Sequence, residues 1–317
     1  MNPAQPPPWG ERSLYLSLPF APVLLQGLSN VQHSTLQQDL SLFIAASESR
    51  QQSTFLRCGA YRLPHAPRIE VEALSKDGQY TPRQRVCDDG IELTGVNFQA
   101  LLPIHPGGRA SLGVADESEL ARIGVIENFL RIYTAHHNLQ QGGLVLHSAG
   151  IVINNQAFIF QGRSNAGKTT LSRKAHDSGA WILSDDINVL LPDKSPGYRA
   201  YAVPFSGEFG RTLTHRGGRE SYPVAAIILL SQGELLHAEP VTAASAVAAL
   251  YTGCPFVNTC RDKSAALFNA LSHLVDRVPV LRLTSQRHDS YEDIMAVIET
   301  ALQSMTGGPH EKNSLQQ

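Results

Sequence analysis

Short apolar runs broken by turn-forming residues fill the first third of the chain, and longer periodic segments follow. From residue 13 to about 115 the runs LYLSL, RIEVEAL and IELTGVNFQALLPI have strand length and are bounded by Gly, Pro, Asn and Asp. This spacing predicts a small β-rich α+β domain, with one helix over 34–47. The Pro-rich residues 1–12 are expected to be flexible. At Asp116 the period changes. Leu120, Ile123, Ile126, Leu130 and Tyr133 share one helical stripe, which predicts a connecting helix over 116–141. Asp116 and Glu119 mark its start and Gly142-Gly143 its stop. His136 and His137 lie near its C-terminus, where the helix dipole favours imidazolium.

Residues 142–306 read as an α/β domain with a mixed β-sheet and flanking helices. The stretch GLVLHSAGIVINNQAFIFQG predicts a hairpin turning at Asn154-Asn155, which tolerate the left-handed conformation. A helix is expected from Lys168 to Ser178, ended by Gly179, with AWILS as the next strand. Further strands are expected near 187–191, 198–204, 224–231 and 280–284, and helices over 243–251, 263–276 and 291–304. The polar tail 307–317 is expected to be disordered.

Composition narrows the function. Apolar residues make up 42% and charged residues 17%, with a formal charge of -2. That balance offers no basic field for nucleic acid or an acidic membrane surface. The four cysteines are too scattered for a disulfide framework or a zinc knuckle. The N-terminal residues lack the basic and apolar regions of a signal peptide, and no apolar run has bilayer-spanning length, so a cytoplasmic protein is expected.

The chemistry concentrates in GRSNAGKTT. Gly162, Arg163, Ser164, Asn165, Ala166, Gly167, Lys168 and Thr169 fit G-x-x-x-x-G-K-[ST] at every fixed position, and Thr170 continues into the expected helix. Glycines let such a loop wrap close to phosphates, and N–H groups at a helix N-terminus point at anionic oxygens. Lys168 would neutralise β/γ charge and the Thr169 hydroxyl would ligate Mg²⁺. The strand after the helix ends in Asp185 and Asp186, and is expected to lie beside the strand that feeds the loop. Adjacent strand residues point to opposite faces, so one carboxylate can join the Mg²⁺ shell while the other takes a proton from an acceptor hydroxyl. His147, in LVLHSAG, fits either a core position or the site.

Together LHSAG, FQGRSNAGKTTL and GAWILSDDINVL resemble the catalytic domain of the HPr serine kinase/phosphorylase family, whose core is related to ATP-dependent phosphoenolpyruvate carboxykinases. The resemblance is specific over 143–192 and continues weakly to about 304. It implies ATP and Mg²⁺ as cofactors, Lys168 on phosphate, Thr169 on Mg²⁺ and Asp186 as proton acceptor for a serine hydroxyl. Asp185 then falls to the metal side, His147 joins the active site, and Glu208 stands near the place of a second metal carboxylate. Arg211, Arg216 and Arg219 follow in a Gly-rich loop suited to phosphate or substrate contact. Arg163 and Asn165 depart from the family's loop, and the N-terminal region does not resemble theirs. The expected activity is transfer of the γ-phosphoryl group to a hydroxyl of a peptide, protein or small molecule, by an assembly of several copies. The alternatives are a non-catalytic ATP sensor and a carboxykinase-like small-molecule phosphotransferase.

Overall fold

The computed structural model describes residues 6–18, 21–44, 55–67, 82–103, 107–213 and 221–306. The run RIEVEAL, the tail 307–317, Arg216 and Arg219 lie outside the described residues. The chain is a mixed α/β protein that divides into two compact units, Met1–His137 and Asn138–Gln317.

Among the described residues, the first unit holds a seven-stranded sheet. Its strands are β1 (Arg12–Leu16), β2 (Val23–Leu28), β3 (Leu56–Arg62), β4 (Arg83–Cys87), β5 (Gly90–Gly95), β6 (Phe98–Pro103) and β7 (Arg109–Val114), in the order β1-β2-β3-β7-β6-β5-β4. β3 alternates Leu56, Cys58 and Ala60 inward with Arg57 and Gly59 outward, the pattern of a half-buried strand. Helix α1 (Asn30–Asp39) starts earlier than the expected 34–47. The cause is a capping box: Ser29 Oγ accepts the Gln32 N–H, and Gln32 Oε1 accepts the Ser29 N–H, each at 3.1 Å.

The connecting helix also departs from expectation at its start. The Asp116 carboxylate accepts the Ser118 N–H at 2.8 Å, but this caps a single turn over Glu117–Glu119. Helix α2 (Ile123–Gln140) begins after it and stops at Gly142, which has a φ of 74°. The His137 imidazole is pushed below its ordinary value by burial, the opposite direction to that expected from the helix dipole. His136 is buried and its Nε2 lies 2.8 Å from Gln84 Oε1.

In the second unit the hairpin forms as expected. β8 (Leu144–Ile153) and β9 (Gln156–Gln161) are joined through Asn154 and Asn155, at φ 49° and 61°. Helix α3 (Lys168–Asp177) follows, then β10 (Trp181–Ser184), β11 (Ile187–Pro192), β12 (Tyr198–Tyr201), β13 (Ser221–Gln232) and β14 (His237–Pro240). Helices α4 (Ala243–Thr252) and α5 (Ser264–Val275), strand β15 (Val280–Ser285) and helix α6 (Tyr291–Thr306) complete the unit. β14 was not expected. The ladder β8-β11-β12-β13-β9 returns to β8, so these strands form a closed cycle, with the long β8 and β13 each bending between two sets of partners. β9, β13 and β15 run parallel. β10 pairs with β8, not with β9, because β9 already has β8 on one edge and β13 on the other. β9 is buried from Ala157 to Gln161, as a central strand should be, and Phe158, Phe160, Ile228, Leu283 and Ile298 share its core.

Candidate functional site

The loop after β9 sits at the C-terminal end of the parallel strands. Gly162 has no room for a side chain: a Cβ there would lie 2.7 Å from the Ala166 Cβ and 3.0 Å from that of Leu230. Asn165 and Gly167 take positive φ, 64° and 100°. At Gly167 a Cβ would meet nothing within 4 Å, so that side of the loop faces open space. The first bond of the α3 ladder is Leu171 N–H to Gly167 O, at 2.9 Å. The N–H groups of Lys168, Thr169 and Thr170 therefore stand ahead of the ladder, as helix-start donors do. Such donors at the start of a helix can hold an anion.

Lys168, the first helical residue, is buried, and its Nζ donates to Gly162 O at 2.7 Å and Arg163 O at 3.2 Å. Burial pushes its ammonium below the usual lysine range, and the charge of Asp186 pulls it back up. Arg163, Ser164, Asn165, Thr169 and Thr170 are exposed, and Ala166 is half-buried.

The two aspartates lie in the bend between β10 and β11, not on a strand as expected, and their side chains still go to different partners. Ser184 Oγ accepts the N–H groups of Asp186 and Ile187, at 3.3 and 3.2 Å, and bends the chain between β10 and β11. Asp186 O accepts the Ser148 N–H at 2.9 Å, which sets the bend against β8. Its Oδ1 then lies 3.2 Å from His147 Nδ1, with the side chains 19% and 23% exposed. An ionised carboxylate can only accept, so Nδ1 carries the proton in this pair. The His147 N–H donates to Gly253 O at 2.8 Å.

Asp185 turns the other way and is buried. Its Oδ1 accepts the Gly207 N–H at 2.8 Å and its Oδ2 the Phe209 N–H at 3.1 Å. A Cβ at Gly207 or Gly210 would approach those oxygens to 2.6 or 2.4 Å, so the glycines admit the carboxylate. Glu208 lies exposed between the two anchored N–H groups, and Arg211 follows in the next turn. The fold thus brings together Lys168, Asp186 and His147, while Asp185 organises the segment that bears Glu208. Among the described residues no group of three or more His, Cys, Asp and Glu side chains forms a metal set.

Sequence reasoning missed Ser184, which makes the bend, and Gly253, whose carbonyl holds the His147 backbone. Ser184 was legible as a serine directly before two aspartates; Gly253, far along the chain, carried no signal.

A family model described as "SynChlorMet cassette protein ScmC" matches residues 114–299, more than half of the chain. The chain belongs to the ScmC family. The ScmC match starts at the last residue of β7 and ends within α6, so it takes in α2, every element from β8 to β15 and the first part of α6. No curated protein matches this ScmC-family sequence. Among solved structures it is similar to the HPr(Ser) kinase/phosphatase from Coxiella burnetii, with 14% identity, 51% of this chain and 93% of that chain covered, and a TM-score of 0.32.

Proposed function

We propose that this ScmC-family chain is an ATP- and Mg²⁺-dependent kinase that phosphorylates a hydroxyl group, a serine side chain in the first instance. The observation that carries the reading is the Asp186 carboxylate, 3.2 Å from His147 and acting by its charge on the buried Lys168, the first residue of the helix that follows the loop. In this reading the loop 162–167 is a phosphate-binding P-loop. The N–H groups of Lys168, Thr169 and Thr170 receive phosphate oxygens, and Lys168 exchanges its loop carbonyls for the nucleotide's charge. The Thr169 hydroxyl would hold Mg²⁺, which would supply further neutralisation of phosphate charge. Asp186 accepts the proton of the acceptor hydroxyl as the new O–P bond forms and the bond to the β-phosphate oxygen breaks. His147 donates to Asp186 and fixes the carboxylate's direction. Asp185 holds residues 207–210 in place at the edge of the site. The acceptor proposed is a peptide, a protein or a small molecule. The test pairs ATP binding with ADP release over serine-containing peptides: binding with acceptor-dependent ADP release is the expected result, and binding without turnover on any hydroxyl acceptor contradicts the proposal.

A further inference from the structure

A cleft of about 580 Å³ opens beside the loop at the C-terminal ends of β9, β13 and β15. Its floor is apolar, formed by Leu171, Leu230, Leu283 and Ile294. Its rim is fastened by hydrogen bonds between segments distant in sequence. Gln232 Nε2 donates to Asn165 O at 3.1 Å, tying β13 to the loop. Gln286 Nε2 donates to Glu234 O, tying the β15–α6 turn to the β13–β14 turn. Lys174 Nζ donates to Arg287 O at 2.7 Å and Asp289 O at 2.5 Å, tying that same turn to α3. The turn is itself closed by the Asp289 carboxylate, which accepts the Gln286 N–H at 2.6 Å. Because α3 begins in the loop, these bonds run right round the cleft.

A lysine on a helix surface ordinarily extends its ammonium into water. Here the ammonium is spent on two backbone carbonyls, so Lys174 shapes the wall and does not reach for an anion. A pocket of this size, with an apolar floor and an edge of amides and backbone carbonyls to which Glu234 and Arg287 add charge, suits a flat heteroaromatic ring whose faces are buried and whose edge forms hydrogen bonds. We propose that the cleft seats the nucleoside end of a nucleotide and that Lys174 is the positioning residue that holds its outer wall. The inference rests on the nucleotide reading of the loop given above. The Gln232–Asn165 bond joins the cleft to a loop residue in the left-handed conformation, so seating of the ring and the shape of the loop are coupled.

The experiment is calorimetric titration of the full chain, with Mg²⁺, against ATP and against inorganic tripolyphosphate. The wild type is expected to bind ATP about tenfold or more tighter than tripolyphosphate, a difference of about 1.4 kcal/mol per decade. Lys174→Met should bring ATP affinity down to that of tripolyphosphate and leave tripolyphosphate binding unchanged, which also reports that the variant is folded. Lys174→Arg, which can still donate to both carbonyls, should restore most of the preference, and Gln286→Leu should reproduce part of the loss from the other side of the rim. Equal affinity for the two ligands in the wild type overturns the proposal. So does an equal loss of both in Lys174→Met, which would make the lysine a phosphate ligand. Binding of neither ligand by the wild type refutes the nucleotide reading of the loop and removes the basis of this one.

Discussion

Replacing Asp185 by Asn should unfold the second unit more readily while leaving the shape of the site's residues nearly unchanged. The carboxylate is buried and accepts two backbone N–H bonds, one from Gly207 and one from Phe209. A hydrogen bond to a charged group contributes about 1.5–3 kcal/mol, and a buried donor left without a partner costs about 1–3 kcal/mol. Asparagine keeps one acceptor and turns an NH₂ toward the other N–H, so the expected loss is about 2–3 kcal/mol. For a unit of this size that lowers the midpoint by roughly 4–12 °C. The chain's two tryptophans fall one in each unit, Trp9 and Trp181, so a Trp9→Phe background lets Trp181 fluorescence follow the second unit alone in thermal or urea unfolding. Gly210→Ala, which sets a Cβ 2.4 Å from Asp185 Oδ1, should lose about 1–3 kcal/mol in the same assay. The two losses should not add, because both act on one carboxylate. If Asp185→Asn changes stability by less than about 0.5 kcal/mol, the usual range for a surface change, the anchoring role is refuted.

Two further outcomes follow from the geometry. Lys168→Ala removes the buried ammonium and should weaken ATP binding by about 10- to 100-fold in calorimetry, the worth of one or two charge-assisted bonds; unchanged affinity would contradict the role given to the loop. His137, whose folded value is depressed by burial, stabilises the fold fully above its unfolded value, and that contribution falls away as the pH drops below about 6.5. His137→Gln should therefore flatten the fall in urea stability between pH 7 and pH 5, and a fall as steep as that of the wild type would refute it.

Where local chemistry decides, the sequence carried the structure. Asn154 and Asn155 turn the hairpin with the positive φ their side chains allow, and Gly179 ends α3 at φ 83°. The loop between β9 and α3 lies where its motif put it. Where a local side-chain bond competes with the apolar period, the helix starts elsewhere. Ser29 and Gln32 cap α1 ahead of the apolar residues that suggested its start, and Asp116 spends its carboxylate on a single turn. What was not legible is long-range. Nothing near Asp185 signals that Gly207 and Phe209 will hold both of its oxygens, and nothing near Lys174 points to carbonyls more than a hundred residues away. The placement of β10 against β8 required knowing that β13 would claim the open edge of β9.

The proposed role of Asp186 as proton acceptor in a phosphoryl transfer is open to direct measurement. Asp186→Asn preserves shape and removes the base, so the decisive measurement is ATP affinity and acceptor-dependent ADP release on the same preparation. ATP affinity should stay within about threefold of wild type, or tighten slightly because Lys168 loses a compensating charge, while transfer falls by about 10² or more. Transfer at the wild-type rate in Asp186→Asn would contradict the account.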